Sequence, residues 1–139
     1  MNASGRRRWL RTAILVGALY PVVGFASAAL AGAAASNQMQ FVWRLSAFVI
    51  SAVVFAVHIA YEHLRLRSTM WATAWHTSVA VAFGAFGLAL AANIHDLGSV
   101  SGYRPRMLIA FVAWPLVTAV PAFIVALVVA AGLGKRLSA

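Results

Sequence analysis

The sequence predicts an all-α, polytopic membrane protein: a single domain built as an antiparallel bundle of four transmembrane helices. Three observations carry this. Of 139 residues, 63% are hydrophobic and 9% charged, far below the roughly 25% charged residues of an average soluble domain. Asp, Glu, Lys and Arg are absent from 12–43, 45–61, 68–95 and 107–134. Each stretch supplies the ~20 predominantly apolar residues of a span once its ends are allowed to hold interfacial charge. The charges and several aromatic residues then collect at the ends of these stretches, giving expected helices over about 9–35, 40–66, 70–95 and 107–133.

The first helix opens GRRRWLRTA and runs apolar from Thr12 to Ala35. Arg6 and Arg7, followed by Arg8, Trp9, Leu10 and Arg11, have the look of a twin-arginine export signal, and AGAAAS would suit a signal peptidase. The apolar run exceeds the ~7–15 residues of a signal core, however, and the later spans need no separate export route. It also carries a small-residue face of Gly17, Gly24, Ala28, Ala31 and Ala35 that suits close helix contact, so a retained helix is expected. Pro21 removes a backbone donor and should kink it.

The second helix, FVWRLSAFVISAVVFAVHIAYEHLRL over 41–66, departs most from plain hydrophobicity. At 100° per residue, Arg44, Ser51, His58 and Glu62 fall within about 40° of one line, with Phe48 and Phe55 beside it. Ile50, Val53, Val57 and Leu64 take the opposite side. A helix surrounded by lipid alone has no reason to align its polar groups, so the stripe is expected to face the bundle. Arg44 sits one turn inside the start, where its stem allows it to snorkel to the headgroups.

Trp71 and Trp75 anchor the third helix, whose inward face is expected to hold Thr73, His76, Ala80, Gly84, Gly87 and Ala91, with Trp75, Val79, Phe86 and Leu90 toward lipid. Gly17, Gly24, Gly84 and Gly87 are the candidate packing glycines. The loop AANIHDLGSVSGYRPRM then leads to the fourth helix, where Pro115 and Pro121 predict distortion and Thr118 is a candidate to satisfy a freed backbone group.

Orientation follows from the basic residues. Arg6, Arg7, Arg8, Arg11, Arg65, Arg67, Lys135 and Arg136 stand on the side of the termini, against Arg44, Arg104 and Arg106 opposite. That distribution predicts both termini in the cytoplasm, and the preference for arginine and alanine hints at a bacterial inner membrane. Because the net charge of +9 flanks apolar spans, anionic lipid headgroups are the expected partner and nucleic acid is not. The absence of cysteine excludes disulfides and thiolate metal sites.

His58 lies nine residues before Arg67 and His76 nine after it. With Arg67 at the apex of a hairpin, both imidazoles reach the same depth, and Glu62 points the same way one turn from His58. His58, Glu62 and His76 therefore form the candidate polar cluster. Three readings fit it: a structural fastening in an accessory subunit or homo-oligomer, a proton-exchanging centre of a transporter or channel, and axial ligation of a b-type haem by the two histidines. No cofactor is required by the first two, and a metal at the cluster is left open by ligand type, although the helix-borne signature of a zinc hydrolase is missing. His63 points about 100° away and reads as interfacial. Arg44, His95 and Asp96 form a separate polar group at the outer face, too far along the helices to belong to the same site. Catalytic serine motifs, phosphate-binding loops and acidic metal clusters are absent, which disfavours an enzyme unless a cofactor is bound.

Overall fold

The computed structural model describes residues 3–97 and 106–137, and within them the side chains of 8–94 and 109–134. It contains α1 (Ala3–Gly32), α2 (Asn37–Ala60), a π-helical turn (Tyr61–Arg65) that continues α2, α3 (Met70–Leu97) and α4 (Arg106–Leu137), with no strand among the described residues. All four helices are long and apolar enough to cross a membrane, over Arg8–Gly32, Asn37–Arg65, Met70–Ile94 and Ile109–Gly134. Helices are what such a solvent demands, since hydrocarbon offers nothing to bond a free N–H or C=O. The protein is an integral membrane protein in this sense.

Local chemistry sets the helix boundaries. Ser36 caps α2, its hydroxyl accepting from the Met39 N–H at 3.2 Å. Thr69 caps α3 in the same way, accepting from the Ala72 N–H at 3.3 Å. Between the π-turn and that cap the chain reverses through Arg67, whose φ of 51° lies in the left-handed region. The residue expected at the apex is thus the one that makes the turn. Pro115 and Pro121 lie inside α4, each depriving a carbonyl four residues earlier of its helical donor. Those carbonyls belong to Phe111 and Val117. Thr118 instead donates to Trp114 O at 2.9 Å and Pro115 O at 3.1 Å, so it bonds back within its own turn and does not serve a freed group.

The helices lie in the order α2, α1, α3, α4, and α2 meets α3 and α4 only slightly. Sequence adjacency suggests instead that α2 and α3 pack along their length. The reason for the difference is the α1–α3 crossing. A Cβ on Gly84 would stand 2.7 Å from Tyr20 Cβ, and one on Gly17 would stand 3.0 Å from Ala80 O. Without a hydrophobic force between helices in lipid, the closest backbone approach takes precedence, and small residues provide it. The α1 seam is Ala13, Gly17, Tyr20, Gly24, Ser27 and Ala31, all buried or half-buried, at alternating spacings of four and three. This is the coiled-coil repeat. Ala28 and Ala35, expected on that face, are exposed.

On its other side α3 packs on α4, where Ser78 donates to Ala119 O at 3.0 Å. Ile59 of α2, Ala74 of α3 and Ala126 of α4 are buried together, with Phe55, Phe123 and Leu127 against them. All four helices therefore converge at one end, the end that carries exposed Arg8, Arg11, Arg65 and Arg67. Toward the opposite end α2 diverges: Phe48 is 71% exposed, and Arg44 is exposed as well.

Candidate functional site

The convergence at the basic end buries a carboxylate. His58 and Glu62 are one turn apart on α2 and its π continuation, and Glu62 is 0% exposed. In the π-turn the Leu66 N–H donates to Tyr61 O at 3.1 Å, and the Ser68 N–H donates to Glu62 O at 3.2 Å. A π-turn holds one more residue than an α-turn and recurs where a side chain must be re-aimed. Here it sets Glu62 against α3.

Glu62 Oε2 lies 2.8 Å from His76 Nδ1, and the Ser68 hydroxyl donates to the same oxygen at 3.4 Å. Its other oxygen, Oε1, is 3.8 Å from His58 Nε2, which is ion-pair range without hydrogen-bond contact. From α1, the Trp9 ring meets the His76 ring edge to face with centroids 4.7 Å apart. Around this pair several buried polar atoms have no hydrogen-bond partner among the described residues: Trp9 Nε1, both ring nitrogens of His58, Glu62 Oε1, His63 Nδ1 and Thr73 Oγ1. The 2.8 Å contact requires one proton between nitrogen and oxygen: with Glu62 ionised, His76 donates Nδ1–H to the carboxylate and presents its remaining nitrogen elsewhere.

Each histidine also borders a groove open to the bilayer. His76 lines one of about 790 Å³ between α3 and α4. His58 lines another of about 390 Å³ between α1 and α2, beside Thr12 and Tyr61. Glu62 connects the two.

Among the described residues no group of three His, Cys, Asp or Glu is placed to hold a metal ion. The geometry explains this, because zinc requires nitrogen and oxygen donors about 2.0–2.2 Å from one point. The two carboxylate oxygens of Glu62 are turned to different imidazoles, the farther one 3.8 Å away.

The remaining candidates lie elsewhere. Arg44 borders a groove of about 320 Å³ with Gly24, Ser27 and Gln40 at the far end of α1 and α2. His95 and Asp96 belong to the last turns of α3, and their side chains lie outside the described residues. Gly24 and Gly87 face Leu88 and Pro21, a Cβ on them reaching 3.0 and 3.3 Å. His63 is half-buried, and a Cβ on Gly134 would lie 3.8 Å from its Nε2, which sets it against the end of the α4 span.

Trp9, Ser68 and the π-turn are the parts that sequence reasoning missed. A signal for Trp9 did exist: it precedes Ala13 and Gly17 at four-residue intervals and so belongs to the same inward seam. Comparisons with protein-family models, with curated proteins and with solved structures find no match.

Proposed function

We propose that this chain is a small proton-handling membrane protein whose centre is Glu62 with His58 and His76. One observation carries the reading. Glu62 is fully buried with Oε2 held by His76 at 2.8 Å, while Oε1 and both nitrogens of His58 have no partner among the described residues. An unpaired buried polar group costs about 1–3 kcal/mol. A fastening between helices would pair these atoms, whereas a group that gains and loses a proton needs an acceptor kept unpaired. Proton-coupled movement of a small solute or ion is the activity this centre fits, as ionisable groups inside spans serve proton relays.

The test is infrared difference spectroscopy of the full chain in bilayers, titrated through the range in which carboxylates and imidazoles change charge. Wild type is expected to show a protonated-carboxyl band that Glu62→Gln lacks. A spectrum identical in the two proteins sinks the proposal.

A second reading, an accessory subunit or homo-oligomer, is favoured by exposed Arg44 and Phe48 and half-buried Ser51, which leave part of the polar stripe of α2 outside this bundle. Extraction in mild detergent without crosslinker tests it, and a stable monomer with no companion speaks against it. Haem ligation receives no such support. Axial histidines must face one another across a porphyrin, and here they converge on a carboxylate. The purified protein is expected to show no Soret band even after haem supplementation. The exposed Arg8, Arg11, Arg65 and Arg67 support contact with anionic headgroups. Their side also supports termini in the cytoplasm, and with it a bacterial inner membrane as the setting.

A further inference from the structure

The larger groove, between α3 and α4, has about 790 Å³ of space, within the ~300–1,000 Å³ typical of small-molecule sites. Its walls are mostly aliphatic, with aromatic rings from Trp71, Trp75 and Phe123 beside Leu116 and Ile124. The Trp71 and Phe123 rings pack on each other with centroids 5.8 Å apart, which presents aromatic surface to the groove. Apart from the indole N–H groups, polar atoms come from His76 and Ser78. Ser78 already donates its hydroxyl to Ala119 O, which leaves His76. That side chain is 9% exposed and 2.8 Å from Glu62 through Nδ1. With Glu62 ionised, that contact holds the proton on Nδ1 and leaves the opposite nitrogen a hydrogen-bond acceptor.

No Lys, Arg, Asp or Glu lines the groove. A phosphate headgroup would find no cation there, and an anion would meet an imidazole backed by a carboxylate. The complementary ligand is neutral, lipid-soluble and flat, with a hydroxyl to give.

We propose that the groove between α3 and α4 is a binding site, entered from the bilayer, for a quinol: a hydroxylated aromatic ring on an apolar tail, its ring O–H donating to His76. The ring lies among Trp71, Trp75 and Phe123, and the tail runs out along Leu116 into lipid. Ring and imidazole meet about 9 Å along α3 from its start at Met70, judged by the rise of 1.5 Å per residue. This rests on the proton-exchange reading, since the carboxylate at its centre is the group that orients His76 toward the quinol hydroxyl. The quinol gives a hydrogen bond only, and neither proton nor electron transfer is part of the proposal.

The test uses the full chain in nanodiscs of neutral phosphatidylcholine, titrated with decylubiquinol or with decylbenzene, and read by tryptophan fluorescence. Decylubiquinol should quench saturably, and decylbenzene, which lacks the hydroxyls, should bind about tenfold more weakly, the value of one hydrogen bond. His76→Gln should lose a similar factor. Ala82→Phe, which fills the groove and leaves the polar cluster untouched, should abolish saturation, and this variant decides the matter if His76→Gln does not fold. Equal binding of the two probes would mean that the groove admits any apolar chain. Unchanged quenching in Ala82→Phe would place binding elsewhere. Either result overturns the proposal. The Glu62 infrared band, measured without quinol, keeps the two readings apart. If the band persists while binding fails, this inference alone falls; if the band is missing while binding holds, the proton-exchange reading falls.

Discussion

At the scale of single residues, the centre combines a contact that stabilises with atoms that do not. Glu62→Leu should destabilise by about 1–3 kcal/mol, because it removes the carboxylate 2.8 Å from His76 and leaves that buried imidazole nitrogen without its partner. Thermal unfolding in detergent measures this. Thr73 supplies the opposite case: its hydroxyl is buried and unpaired, so Thr73→Val, similar in shape, should stabilise by about 1 kcal/mol in the same unfolding measurement. A Thr73→Val protein that is less stable would show that Oγ1 has a hydrogen-bonding role in the fold. The pairing of Glu62 with His76 was legible in the sequence, since the equal spacing of His58 and His76 about Arg67 matches their depths. Trp9 was legible only as a member of the α1 seam, because an aromatic residue among arginines reads equally well as an interface anchor, and the position of α1 beside α3 is what brings it to His76.

At the scale of elements, the sequence carries helix existence and facing more clearly than helix neighbours. Hydropathy alone marks the four spans, and side-chain size separates the buried face of α3 (Thr73, His76, Ala80, Gly84) from exposed Trp75, Phe86 and Leu90. Which helices touch depends on the free energy of alternative pairings, and that is decided by a few tenths of an ångström at the glycines. Nor does YEHLR contain a proline or glycine to announce the π-turn. The α1–α3 crossing makes a graded prediction. Gly84→Ala should cost about 1–3 kcal/mol, because its Cβ would lie 2.7 Å from Tyr20 Cβ, an atom fixed to the α1 backbone. Gly24→Ala should cost less, since it meets the movable end of Leu88 at 3.0 Å. Gly32→Ala, with nothing within 4 Å, should be neutral or slightly stabilising. Unfolding each variant in mixed micelles of rising SDS content tests the order, and equal losses at all three positions would mean that helix propensity, and not close approach, sets the effect.

At the scale of the whole molecule, the bundle is closed at its basic end and open at the other, where Phe48 of α2 is exposed and Arg44, beside Gly24 and Ser27 of α1, is exposed as well. Phe48 in lipid is unremarkable; Arg44 and Ser51 on the same line mark the side of α2 that a second helix would cover. In a closed assembly of identical chains the simplest contact is two-fold and self-complementary, so a residue near the axis lies close to its own copy. The protein has no cysteine, which makes the geometry directly measurable. A single Phe48→Cys substitution should form an oxidised dimer in native membranes. Val117→Cys, on the exposed apolar side of α4, should remain monomeric under the same oxidant. Dimer at Val117 and none at Phe48 would move the interface to α4 and leave the stripe of α2 to lipid or to a different subunit. If Phe48→Cys dimerises and the dimer retains the Glu62 infrared band, then the open end serves association and the basic end serves protons, two tasks that the divergence of α2 keeps apart along one helix.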